Sequence, residues 1–251
     1  MKIYTYYQDI DFSAQQKLID LWKISWSRQG YEPIVLNLED AKKHSYFETL
    51  DTEMRRIFKE ITNKEICDYG MSCWFRWLAY ATQTEEKFYV SDYDAINANF
   101  PITEPSDNLH LMDYDCPFLA SGTPKQFENL CKAFVEISNQ RIEILKSKST
   151  SMEWYHDQEF FMYNFMPHHN DSAEDLKNKH NILMTRDREH EGGIGDWYLP
   201  NNEENPSPKT YGIYHVSHAN CIKHRISNPQ VNSLSTEEIR KILINDLLKI
   251  K

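Results

Sequence analysis

Lys87–Asn97, KFYVSDYDAIN, decides the reading of this chain. Phe88, Tyr89 and Val90 are the aromatic and β-branched residues of a buried strand. The pattern breaks at Asp92-Tyr93-Asp94, two carboxylates two residues apart. At the exit of an apolar strand they converge once the chain bends, and together they offer the hard oxygen ligands that Mg²⁺ or Mn²⁺ takes. A cation held there beside a diphosphate stabilises the charge that develops as the diphosphate leaves. The plainer reading is an Asp-rich turn after a strand. An EF-hand is excluded, because no Gly or twelfth-position Glu follows at the required spacing.

Upstream, Tyr69–Thr82 is a dense apolar helix with Trp74, Trp77, Leu78 and Ala81 at helical spacing, feeding directly into that strand. Arg76 lies inside it. Either it reaches solvent past the aromatic rings, or it supplies a cation beside a nucleotide or the two carboxylates. Lys2–Tyr7 reads as a first strand. Ser13 and Gln16 then make a capping-box pattern before Leu18, Leu21, Trp22 and Trp26, one apolar helix face that Gly30 can end. Tyr31–Leu36 is a second strand, with Pro33 favouring its start or a sheet edge. Asn37–Tyr69 is polar and helical around Met54–Ile61. The β-α-β-α-α-β order predicts a mostly parallel sheet and delivers the carboxylates to a strand's carboxyl end, where open α/β sheets place ligands.

Downstream come a short strand at Leu109–Met112, a strand-like Phe118–Gly122, and a long helix from Pro124 to about Ser147. Its stripe is Phe127, Leu130, Phe134, Ile137 and Ile144, interrupted by Arg141. In Ser151–Asn164, Asp157 and Gln158 stand beside Phe160 and Phe161. A partly desolvated Asp157 there can act as a general base, or simply meet the free amides of a helix start. Residues 166–210 are loop-rich and hold Gly192, Gly193, Gly195 and Trp197, without the spacing of a phosphate loop. Tyr211–Lys223 is a late strand and its exit, carrying His215, His218 and Lys223; one imidazole can join a Mn²⁺ site and Lys223 can meet a phosphate. Ser235 and Glu238 box the start of an amphipathic helix with Ile239, Leu243, Leu247 and Ile250.

Composition narrows the classes. With 251 residues, 40% of them hydrophobic and 13% aromatic, the chain can fill a core, which excludes global disorder. A net charge of −10 argues against wholesale nucleic-acid binding. No apolar run reaches membrane-spanning length, and MKIYTYYQD is no signal peptide, so a cytoplasmic location is expected. Five cysteines without a CxxC read as reduced thiols.

Taken together, the N-terminal β-α-β, the aromatic helix with Arg76, the strand ending in Asp92-x-Asp94, the central Asp157-Gln158 and the late His218 and Lys223 resemble the nucleotide-sugar-dependent glycosyltransferases of the GT-A fold. The resemblance spans roughly Lys2 to Lys223. It implies an α/β fold with a Rossmann-type, mostly parallel central sheet flanked by helices. It also implies a single domain over 1–251, with a nucleotide-binding half (1–100), an acceptor-binding half (101–225) and a scaffold helix (235–251). The implied activity is metal-dependent transfer of a sugar from a nucleoside-diphosphate sugar, UDP-sugar first and GDP-sugar second, to a glycan or glycoconjugate hydroxyl. By the same resemblance Mn²⁺ or Mg²⁺ is held by Asp92, Asp94 and His218, with His215 a competitor. Thr5, Tyr6, Tyr7, Arg76, Asp92 and Lys223 would contact the nucleotide sugar, and Asp157 would be the base. The middle motif reads Asp-Gln where an acidic pair is more usual. Two other classes use similar parts: a nucleotidyltransferase or phosphohydrolase drawing on Asp113 and Asp115, and a non-catalytic nucleotide-binding protein of the same fold.

Overall fold

The computed structural model describes residues 1–10, 15–98, 100–111, 118–148, 155–165, 182–184, 213–217, 233–235, 238–239 and 241–242. In chain order the elements are β1 (Lys2–Tyr6), α1 (Gln15–Arg28), β2 (Glu32–Leu36), α2 (Leu38–Lys42), α3 (Phe47–Thr62), α4 (Asp68–Ala81) and β3 (Phe88–Ser91). There follow β4 (Ala95–Asn97), β5 (Leu109–Leu111), β6 (Leu119–Gly122), α5 (Pro124–Lys148), α6 (Asp157–Phe165), β7 (Ile182–Met184) and β8 (Ile213–His215).

Six strands form one sheet in the order β2-β1-β3-β6-β5-β7, and β4 pairs with β8 in a separate antiparallel ribbon. β1 runs parallel to both β2 and β3, whereas β6 is antiparallel to β3 and to β5, and β7 is parallel to β5. The fold is therefore α/β with a mixed sheet, in which β6 alone runs against the other five. Chain length explains the reversal. Only residues 112–118 separate β5 from β6, too few for the crossover of a dozen or more residues that parallel neighbours need. β3 and β6 pair across position 100, so the two halves expected from the sequence share one sheet. Pro33 sits on β2, an edge strand, where a missing amide donor costs no ladder bond.

All four residues of β3 are buried, which requires cover on both faces of the sheet. Alternation sends Tyr4, Phe88, Val90 and Ala120 into one apolar cluster, with α3, α4, α5 and α6. Ile3, Tyr89 and Leu119 enter the other, with Leu18, Leu21, Trp22 and Trp26 of α1 and with Ala95, Ile96 and Ile213 of the ribbon. Full burial of one such side chain contributes about 1.5–3 kcal/mol, so the aromatic stripes of α1 and α4 are the main anchors of the two layers. α1 stops where expected: Gly30 takes φ +82°, a left-handed conformation that residues with a Cβ adopt only with strain. Ser13 lies outside the described residues. Ser235 does cap as expected, its Oγ accepting from the Glu238 amide at 3.2 Å.

The stripe of α5 departs from its sequence reading. Ile144 is 38% exposed, whereas Arg141 is buried with Leu145. Steps of three and four residues from Phe134 through Ile137 and Ser138 lead to Arg141 and Leu145, so the face drifts past Ile144. β7 was also not expected within the loop-rich stretch 166–210; it adds a strand beside β5. Gly192, Gly193, Gly195 and Trp197 lie outside the described residues.

Candidate metal site at the carboxyl end of β3

The site begins where β3 ends. Trp22 Nε1 donates to Ser91 Oγ at 2.8 Å, fixing the last strand residue from the α1 side. The Asp92 amide then donates to Phe118 O at 2.8 Å, and the Ala95 amide closes a turn on Asp92 O at 3.0 Å. Asp92-Tyr93-Asp94 is thus the bend that carries the chain from the large sheet into β4. β4 pairs with β8 in the register Ala95↔His215, and the Val216 amide donates to Asp94 O at 2.7 Å. That pairing brings His215 to the carboxylates. Its ring stacks on Phe118, with centroids 5.2 Å apart and planes 24° from parallel.

Nε2 of His215 lies 3.4 Å from Asp94 Oδ1 and 3.9 Å from Asp92 Oδ2. One ligand atom from each of Asp92, Asp94 and His215 falls within 4.8 Å of the others. Two carboxylates and an imidazole suit Mn²⁺ or Mg²⁺ in hardness, so the residues present fit the cation expected from the sequence. Of the two competing histidines, the described structure brings His215 to the site. His218 and Lys223 lie outside the described residues, as do Asp113 and Asp115.

Arg76 reaches the same place from α4. Its Nη1 donates to Asp92 Oδ1, and its Nε donates to Asp157 Oδ2 at 2.8 Å. Its Nη2 lies 2.5 Å from the same Asp157 oxygen. The guanidinium sits 5.0 Å from the centroid of the Trp77 ring, and Trp77 Nε1 donates to Asp157 Oδ2 at 2.7 Å. Of the two sequence readings of Arg76, the described geometry is that of a buried counter-ion to carboxylates. Holding Oδ1 of Asp92 leaves that residue's Oδ2 on the His215 side.

Charge follows geometry here. Burial raises the pKa of Asp92 and outweighs Arg76, with Asp94 pushing the same way. Burial pushes Asp157 up as well, but Arg76, His156 and Trp77 prevail and hold it below the usual carboxylate range. Burial opposes the charge on Arg76, yet Asp157 and Asp92 keep it protonated. Three carboxylates, Asp92, Asp94 and Asp157, face one guanidinium here, an acidic excess that favours a cation.

Asp157 opens α6 and is 1% exposed. Its Oδ1 accepts from the Gln158 amide at 2.9 Å, so both oxygens are engaged. At the end of β1, Tyr7 meets Tyr93 edge-on at 5.8 Å, tying that strand to the carboxylate bend. Tyr6 turns to the opposite layer, and its hydroxyl donates to Gln8 Oε1 at 3.0 Å. Thr5 is fully buried, and its Oγ1 has no hydrogen-bond partner among the described residues. The sequence reading passed over Cys73 and His156, which also gather at Asp157. Cys73 and Arg76 share a helix face three residues apart, and His156 adjoins Asp157, so a local signal existed for both.

No protein-family model matches the chain, and comparison with curated proteins finds no similar sequence.

Proposed function

We propose that the chain is a metal-dependent glycosyltransferase of the GT-A fold, moving a sugar from a nucleoside-diphosphate sugar to an acceptor hydroxyl. The observation that carries the reading is the convergence of Asp92, Asp94 and His215 at the carboxyl end of β3, beside a largely buried Arg76. Asp92, Asp94 and His215 would hold Mn²⁺ or Mg²⁺. When bound, the cation supplies positive charge against which a diphosphate leaves.

The chain's own residues prepare that site. Arg76 fixes one oxygen of Asp92, and Phe118 fixes both the Asp92 amide and the His215 ring. Asp157 accepts from Arg76, Trp77 and the Gln158 amide, and the guanidinium beside it holds its pKa below the usual carboxylate range, which makes it a weak base. The geometry therefore favours Asp157 as the residue that positions Arg76, in place of the base expected from the sequence. In this reading a UDP-sugar is the first donor to test and a GDP-sugar the second, with a glycan or glycoconjugate as acceptor.

The test is a thermal-shift series with UDP, GDP, CMP and dTDP, each with and without Mn²⁺. A ligand at about 100 times its Kd stabilises by about 2.7 kcal/mol, which at about 2–4 °C per kcal/mol is a shift of roughly 5–10 °C. One diphosphate should give that shift only with Mn²⁺, and Asp94→Asn should remove it. A shift from none of them overturns the proposal, as does one that survives Asp94→Asn.

A further inference from the structure

A second group of ligand-type side chains gathers at Asp157, the other carboxylate that Arg76 binds. Cys73 sits one helical turn before Trp77 on α4, and His156 and Asp157 stand at the start of α6. One ligand atom from each of these three falls within 4.8 Å of the others. His156 Nδ1 is 3.3 Å from Asp157 Oδ1, and it accepts from the Gln158 amide at 3.3 Å, which holds the ring beside that carboxylate.

We propose that Cys73, His156 and Asp157 form a second cation site, suited to a borderline-soft divalent ion such as Zn²⁺. Sulfur decides the chemistry. Thiolate, imidazole and carboxylate are the ligands of tetrahedral Zn²⁺, whereas Asp92, Asp94 and His215 include no thiol and suit harder ions. Binding of the ion displaces the proton of the Cys73 thiol, since the thiolate is the ligand. Cys73 Sγ now lies 3.5 Å from Tyr69 O, a weak contact that a metal bond replaces. Asp157 keeps Oδ2 on Arg76 and Trp77, and Oδ1, which accepts the Gln158 amide through one lone pair, has a second to offer the ion.

Co²⁺ is the probe, because a thiolate ligand gives it a sulfur-to-cobalt charge-transfer band. The metal-free, reduced full-length chain is titrated with Co²⁺ and followed by absorption, with circular dichroism to confirm folding. A near-ultraviolet charge-transfer band should grow to stoichiometric saturation, and Zn²⁺, the stronger binder, should bleach it. Cys73→Ser should lose the band, whereas Cys67→Ser, at the exposed thiol just before α4, should keep it. His156→Gln, which leaves every thiol in place, should weaken Co²⁺ binding at least about tenfold. Asp94→Asn should leave the band intact, separating this site from the one in the proposed function. No band in the unaltered chain, or a band that survives Cys73→Ser, overturns the proposal.

Discussion

Replacing Arg76 by methionine removes one charge and keeps most of the side-chain volume, so it isolates the electrostatic part of the site. Exposure decides the magnitude. The side chain of Arg76 is 14% exposed, that of Asp92 18% and that of Asp157 2%. These are not the surface pairs whose loss costs about 0–1 kcal/mol. Removing one partner of a buried pair costs about 3–5 kcal/mol, because the other charge is left uncompensated. For a domain whose whole stability is about 5–15 kcal/mol, and at about 2–4 °C per kcal/mol, the melting temperature should fall by roughly 6–20 °C. Adding Asp157→Asn to Arg76→Met should recover part of the loss, since it removes the orphaned carboxylate. The coupling in that double-mutant cycle should lie at the upper end of about 0.5–3 kcal/mol. Mn²⁺ should stabilise Arg76→Met more than the unaltered chain, because Asp92 and Asp94 then face each other with no guanidinium beside them. Urea unfolding with and without Mn²⁺ reads all three quantities. A loss below about 1 kcal/mol for Arg76→Met, or two substitutions that simply add, would refute the buried-counter-ion account.

Two further outcomes test the scaffold. Gly30→Ala should cost about 1–2 kcal/mol, the strain of a left-handed residue that carries a Cβ. The new Cβ would also come within 2.8 Å of Ile102 Cδ1, but that is the tip of an exposed side chain and can move. Ile102→Ala should therefore recover little; full recovery in the double variant would show that crowding, not backbone conformation, sets the cost. At Glu128, hydrogen bonds from Lys125 and Lys132 pull the carboxyl from its ordinary 4.5 down to about 2. A depressed carboxylate contributes stability above its unfolded value and loses it as pH falls through the folded one. Between about pH 4.5 and 2 the unfolding free energy should fall with a shallower slope in Glu128→Gln, measured by urea unfolding at low salt. Equal slopes would show that solvent screening leaves these exposed pairs without effect.

What the sequence made legible is what adjacent residues encode. β3 was readable because aromatic and β-branched residues run together up to Ser91, and its two carboxylates follow at once. α1 was readable because Trp22 and Trp26 repeat at four residues and Gly30 supplies the stop. The buried Arg141 and exposed Ile144 were misjudged on α5 because a charged residue looks like an interruption of an apolar stripe, although its position on the helix face places it inside. The approach of His215 to the carboxylates had no local signal at all. It depends on β8 pairing with β4 so that His215 lies opposite Ala95, and a slip of one residue would send that imidazole to the other face of the ribbon. Arg76 shows the same limit from the helix side: its spacing placed it among buried rings, but only the fold brings it one carboxylate from the exit of β3 and another from the start of α6. Function concentrates at such places because a cation site needs donors that distant segments bring to one point, and long-range pairing is what a local pattern does not carry.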